Sequence, residues 1–191
     1  MSIVAVVEGH GEVESLPILI RRVCIEKGFP VVHNLNHKNI FRIPRSKLLR
    51  DGELEKAVTA ASIKLGGSGN IIVLIDSDDD PLLLESSLNI RAKAAAPHLN
   101  VEVILAVREF ESWIIHSISS LAGKKGLPDD IFPPENPDAI RGAKEWISDR
   151  MIGFSYSETV DCASFTASMN LDLCMQSTSF NKFCQVIAGL T

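Results

Sequence analysis

A chain of 191 residues is the size of one compact domain with at most a small appendage. Apolar residues make up 46% and charged residues 23%, which supplies a core and excludes general disorder. With 19 basic and 24 acidic residues the formal charge is −5, which argues against nucleic-acid binding through bulk positive charge, and 6% aromatics with one tyrosine argue against a base-stacking platform.

The first apolar run, residues 3–7, is short, β-branched and uninterrupted, as in a strand buried on both faces. No basic segment precedes it and it is too short to span a bilayer, so a cytoplasmic protein without membrane association is expected. Leu16, Ile20 and Val23 recur at helical spacing and predict a helix over 13–27, ended by Gly28. A brief second strand is expected at Val31, Val32 and His33, followed by a polar, basic stretch over 38–50 and a helix over 53–65 closed by glycines. Residues 71–75 form the clearest strand, which runs into Asp76-Ser77-Asp78-Asp79-Asp80-Pro81. A helix over 82–96, a strand over 101–107 and a helix over 110–121 complete the pattern.

Such alternation predicts an α/β fold, a mostly parallel sheet flanked by helices, occupying residues 1–122. Residues 123–191 open with a loop rich in Pro and Gly and continue as short helices near 138–151, 159–168 and 178–188, read as a helical extension packed on the sheet domain. Cys24, Cys162, Cys174 and Cys184 form no CxxC pair, so buried reduced thiols are expected rather than a zinc or redox site.

In open parallel sheets, sites gather beyond the carboxyl ends of the strands. Three strand ends here carry acids: Glu8 with Glu12, Asp76 with Asp78, Asp79 and Asp80, and Glu109 with Glu111. Converging carboxylates repel unless a cation lies between them, and hard oxygen donors favour Mg²⁺, Mn²⁺ or Ca²⁺ over zinc. Taken singly, each segment has a plainer reading: the Asp-rich turn before Pro81 as a helix start, and Glu8-Gly9-His10-Gly11-Glu12 as a tight turn in which glycine supplies special backbone angles. No GK[ST] P-loop is present, and the glycine pattern is too short for a dinucleotide fingerprint.

The strand ending in Val7-Glu8-Gly9-His10-Gly11-Glu12, with a later strand ending in Asp76-Ser77-Asp78, resembles the TOPRIM signature of topoisomerases, primases and related nucleases. The form VEGHGEVESLP with IDSDDD and REFESW is similar to a family of small stand-alone TOPRIM-like proteins of undefined function, and distantly to the overcoming-lysogenization-defect nucleases. The resemblance implies a divalent-metal-dependent nuclease or phosphodiester hydrolase, with Glu8, Asp76 and Asp78 catalytic and an Mg²⁺ or Mn²⁺ site built from Glu8, Glu12, Asp76, Asp78, Asp80 and Glu111. It also implies a bacterial defence effector acting with a separate ATPase, and a catalytic lysine for which Lys144 and Lys182 are the candidates. Glu109 and Glu111 lie two apart and cannot share a helix face, so one of them, with Glu111 preferred, is expected at the ions.

Two divalent ions would offset four of the negative charges and leave the basic stretch as a local patch. From it Arg42, Arg45 and Lys47, with Gly9, His10 and Gly11 of the turn, are the expected substrate contacts to DNA or RNA; Arg21 and Arg22 read as surface charges. Topoisomerase chemistry is disfavoured because Tyr156, the lone tyrosine, lies outside the TOPRIM-like part. A haloacid-dehalogenase-type phosphatase would need Thr where Asp80 stands. The other alternative is a regulatory module that binds metal or nucleic acid without a reaction.

Overall fold

The structure, a computed structural model, describes residues 2–30, 32, 35–78 and 81–190, with backbone alone for 81–83. Four parallel strands, β1 (Ile3–Val7), β2 (Ile40–Arg42), β3 (Asn70–Asp76) and β4 (Asn100–Ala106), form one sheet in the order β2-β1-β3-β4. The helices are α1 (His10–Lys27), α2 (Arg45–Leu48), α3 (Glu53–Leu65), α4 (Pro81–Ala95), α5 (Glu111–His116), α6 (Ala143–Ser148), α7 (Glu158–Ser168), α8 (Leu171–Cys174) and α9 (Thr178–Gly189). The fold is α/β, as expected from the alternation.

Strand parity divides the core. Ile3, Ala5 and Val7 of β1, Ile72 and Leu74 of β3 and Ile104 and Ala106 of β4 face α1, α5 and the C-terminal helices. Val4, Val6, Ile71, Val73, Ile75, Val101, Val103 and Leu105 face α3 and α4. β1 and β3 are buried on both faces, which is why they read as unbroken apolar runs. Because β2 and β3 flank β1 on opposite sides, the chain reverses its direction of winding there, and a crevice opens at the carboxyl ends of β1 and β3.

The second strand is not where the sequence suggested. Val32 is buried but outside any strand, Val31 and His33 lie outside the described residues, and β2 instead falls within the basic stretch. Three residues suffice at a sheet edge: Ile40 and Phe41 pair with Ala5 and Val6, placing Ile40 in the α1 layer and Phe41 against the α3 layer. Strong alternation is absent from so short a strand, and the polar residues around it hid it. Helix α1 begins at His10 rather than 13, and α5 gives way after His116 to a 3₁₀ turn at Ile118–Leu121.

The C-terminal third is part of the main core. Phe165, Met169, Leu171, Cys174, Phe180, Phe183 and Ile187 belong to the same apolar cluster as Ile3, Ala5 and Val7. Trp113 of α5 packs on Phe180 and Phe183 with ring centroids 5.3 Å away in each case, and its indole N–H donates to Ser179 Oγ at 2.8 Å. Arg22 is no surface charge: its guanidinium donates to the Thr166 and Met169 carbonyls at 2.8 and 2.7 Å, satisfying the C-terminal end of α7. All four cysteines are buried and free. Among the described residues no helix is long and apolar enough to cross a membrane.

Candidate functional site

The crevice at the ends of β1 and β3 collects carboxylates from five places in the chain. Glu8 follows β1, and its Oε2 accepts the Asp76 N–H at 3.3 Å. Asp76 ends β3 with the parity of Ile72 and Leu74, which turns it toward the α1 and α5 side, where its Oδ1 accepts the Phe110 N–H at 2.8 Å. Glu12 projects from the first turn of α1 and Glu111 from the first turn of α5, both buried. Glu158 opens α7 from the far end of the chain.

Burial and crowding push four of these acids, all but Glu158, toward the protonated form. Desolvation, opposed by the Asp76 N–H and reinforced by the charge on Glu12, lifts Glu8 to about 7. Burial and then the Glu12, Glu8 and Glu111 charges hold Asp76 well above the usual carboxylate range. Burial lifts Glu111 to about 8 against the pull of Lys144, and burial also raises Glu12. Glu12 Oε2 is buried with no hydrogen-bond partner, an arrangement that costs free energy unless a positive group completes it.

The C-terminal third supplies the countercharge. Lys144 of α6 places its Nζ 3.4 Å from Glu158 Oε2 and 4.0 Å from Glu111 Oε1. Burial alone would lower its pKa, but the Glu111, Glu158, Asp76 and Glu12 carboxylates raise it, so this ammonium stays charged. Tyr156 donates its hydroxyl to Glu111 Oε1 at 3.0 Å. Burial would raise Glu158, yet the Gly11 N–H at 2.8 Å and Lys144 hold it below the usual range. Lys182, by contrast, pairs with Glu85 of α4 away from this cluster.

The glycines of the turn supply space. Gly9 has φ −93°, open to any residue, but a Cβ there would stand 2.3 Å from Glu12 Oε2 and 2.7 Å from Glu158 Oε1. A Cβ on Gly11 would meet Glu158 Cγ at 2.8 Å. The turn is therefore shaped around two carboxylates rather than around unusual backbone angles. His10 between them is exposed.

The remaining candidates divide. Asp78 is drawn outward, its Oδ2 2.7 Å from an Arg45 Nη, and Asp80 lies outside the described residues. Arg45 also donates to the Asp76 and Ser77 carbonyls at 3.1 and 3.4 Å, so it braces the β3 loop. Lys47 lies 3.6 Å from Glu53, and Arg42 ends β2 exposed, opposite Val7. Glu109 accepts the Ala143 N–H at 2.9 Å and so serves the start of α6, whereas Glu111 faces Lys144, Tyr156 and the other acids.

Sequence reasoning did not reach Glu158, the pairing of Tyr156 with Glu111, or Ser77, whose hydroxyl accepts the Arg108 N–H at 2.9 Å and clamps the β3 and β4 loops together. The one usable signal was the Gly-x-Gly spacing, which announces a close neighbour without naming it.

An oxygen-only, buried, mutually repelling donor set with an orphaned Glu12 Oε2 fits a hard divalent cation in chemistry. Among the described residues, however, no three His, Cys, Asp or Glu side chains are already gathered to hold an ion, so binding would require Glu8 and Asp76 to turn from their present hydrogen bonds toward Glu12. No curated protein and no solved structure matches the chain. A family described as "Domain of unknown function (DUF4276)" matches residues 7–188, nearly the whole length, and the chain belongs to that family.

Proposed function

We propose that the protein is a divalent-metal-dependent phosphodiester hydrolase, acting on DNA or RNA as a nuclease. The observation that carries this reading is the convergence of Glu8, Glu12, Asp76 and Glu111 at the winding reversal of the sheet, with Glu12 Oε2 buried and unsatisfied. The resemblance of the Glu8-to-Glu12 and Asp76-to-Asp78 segments to TOPRIM nucleases supports it.

Glu8, Glu12 and Asp76 are the residues that would hold Mg²⁺ or Mn²⁺, and Asp78 joins them if Arg45 releases it. A bound ion of this kind supplies activation of water and neutralisation of the leaving oxygen at a phosphodiester. The chain's own part is to keep those acids desolvated, so that they have no better partner than a cation. Lys144 holds a positive charge beside Glu111 and Glu158, where it can attract a phosphate oxygen. Tyr156 fixes the Glu111 carboxylate. A partner ATPase would have to supply any ATP-driven gating.

The test is cleavage of plasmid DNA and of labelled single-stranded DNA and RNA with Mg²⁺ or Mn²⁺. Glu8→Gln and Asp76→Asn should each lower the rate by at least about a hundredfold, in line with the weight of a transition-state electrostatic group. Unchanged cleavage in folded variants overturns the reading. A second reading, a binding module without chemistry, is favoured by the Arg45–Asp78 pair, which engages Asp78 with an internal partner. Oligonucleotide binding with no calorimetric heat from Mg²⁺ or Mn²⁺ would select it.

A further inference from the structure

At the start of α7 a cavity of about 310 Å³ opens between that helix and the loops carrying Lys125 and Phe154. Met151, Phe154 and Val160 form its apolar wall, and Lys125, Ser155 and Ser157 supply polar groups. The one acid on it, Asp161, is buried and already engaged, its Oδ2 accepting the Ser157 N–H at 2.8 Å. Phe154 stands two residues before Tyr156, which donates to Glu111, and Ser157 is the neighbour of Glu158, which accepts the Gly11 N–H. Two residues of extended chain span no more than about 7 Å, so the cavity adjoins the Glu158 side of the acid cluster.

Phe154 is 70% exposed, yet the loop that carries it is tied on both sides. The Ile152 N–H donates to the Gly126 carbonyl at 2.7 Å, and the Tyr156 N–H to Ser148 Oγ at 3.1 Å. A Cβ on Gly126 would stand 3.0 Å from Phe154 Cδ2, so the ring rests against that glycine and keeps the rest of its surface open. Ile152 and Val160 are 68% and 61% exposed, which makes this a small apolar patch rather than a lone ring. Lys125 beside it is exposed and, among the described residues, pairs with no carboxylate.

We propose that this cavity is a base subsite: one nucleobase of a single strand stacks on the Phe154 ring between Met151 and Val160, with Ser155 and Ser157 at its edge and Lys125 on an adjoining phosphate, and the strand continues to the acid cluster. The inference rests on the phosphodiester reading above and adds that the strand is single. Every base has a π face and stacks on an aromatic ring irrespective of sequence, whereas a base inside a duplex has both faces taken by its neighbours. With so few aromatics the chain has no platform for a run of bases, but one held and open ring serves one base. The volume is at the small end for ligand pockets, which suits a single base. Charge agrees: a chain of net charge −5 meets the strand here through an unpaired ammonium, next to an acid that is spent on its own backbone.

The test is fluorescence anisotropy of a labelled twelve-nucleotide single strand, DNA and RNA in parallel, beside a duplex of the same sequence. Phe154→Leu keeps an apolar side chain and removes the ring; it should weaken single-strand binding about five- to a hundredfold and leave duplex binding unchanged. Phe154→Trp should bind as tightly as the wild type, with its added indole fluorescence quenched when the strand stacks. Lys125→Gln should weaken binding several-fold and lower the salt slope by about 0.7, the value for one phosphate of a single strand. Ile152→Ser removes an equally exposed apolar side chain outside the cavity lining and should match the wild type. In cleavage assays Phe154→Leu should raise KM more than it lowers kcat. A Phe154→Leu protein that binds and cleaves single strands as the wild type does overturns the subsite and leaves the hydrolase reading standing, and an equal loss of duplex affinity overturns it too. A wild type that cleaves nothing, while single strands bind in a ring-dependent way, overturns the hydrolase reading and leaves the subsite. Self-association in sedimentation velocity that Phe154→Leu and Ile152→Ser both abolish, with strand affinity unchanged, assigns the patch to a second copy of the chain and overturns the subsite.

Discussion

Gly9 and Gly11 show how a single missing methyl group can set a site. Each lies within the reach of Glu158, and Gly9 also of Glu12, at separations that a Cβ would reduce to 2.3–2.8 Å. Neither has the positive φ that would make glycine a backbone necessity; among the described residues that role falls to others such as Gly28 at φ 73°. Gly11→Ala should therefore cost about 1–3 kcal/mol of stability by overpacking against Glu158 and Cys162. Chemical denaturation monitored by circular dichroism checks this, and Glu158→Ala added to Gly11→Ala should recover part of the loss by vacating the space. A Gly11→Ala protein as stable as the wild type would mean that α7 does not lie this close to α1. The glycine pair was legible in the sequence as a demand for space, but the carboxylate filling it comes from a position 147 residues further on, and no local pattern links the two.

At the scale of elements, the acid cluster exists because the ends of β1 and β3 and the starts of α1 and α5 converge at one edge of the sheet. Their proximity raises Glu8 from 4.5 to about 7 and Glu111 from 4.5 to about 8, burial being the first cause in both. An acid whose pKa is higher folded than unfolded holds its proton more tightly in the native state. Its contribution to stability is then complete below about pH 4.5 and is lost as pH rises through 7 and 8. In chelator, the melting temperature should fall between pH 5 and pH 8.5. Mg²⁺ or Mn²⁺ should restore it at pH 8 but hardly at pH 5, where protons occupy the same oxygens. Glu111→Gln, neutral at every pH, should flatten the decline. Differential scanning calorimetry across that range measures it; a melting temperature that climbs steadily to pH 8.5 without metal would contradict the cluster's electrostatics. The strand ends that carry Glu8, Asp76 and Glu111 were readable because buried parallel strands leave continuous apolar runs that stop at charges. The edge strand β2 was not, since three residues among Lys38, Arg42 and Arg45 offer no periodicity, and Arg45 became a brace for the β3 loop only once α2 followed β2.

For the whole molecule, the question is whether residues 123–191 form an attachment or part of one folding unit. Lys144, Tyr156 and Glu158 reach the acid cluster, and Phe165, Phe180 and Phe183 complete the apolar layer under β1, β3 and β4. Trp113 lies fully buried at that junction, against Phe180 and Phe183, while Trp146 sits on α6 with the Arg150 guanidinium 3.7 Å from its ring centre. A sheet that loses the C-terminal helices would expose the part of this apolar layer that α1 and α5 leave to Phe165, Phe180, Phe183 and Ile187, a cost that an appended domain would not impose. Unfolding should therefore be a single transition. In a Trp146→Phe variant, Trp113 fluorescence reports docking of α9 and far-UV circular dichroism reports all helices, and the two midpoints should coincide in urea. Phe183→Ala should destabilise by about 3–5 kcal/mol, a large share of the 5–15 kcal/mol typical of a whole domain, and shift both midpoints together. A Trp113 midpoint that falls well below the circular dichroism midpoint would show the C-terminal helices leaving first; the site would then be one that opens whenever the tail detaches, taking Lys144 and Glu158 with it.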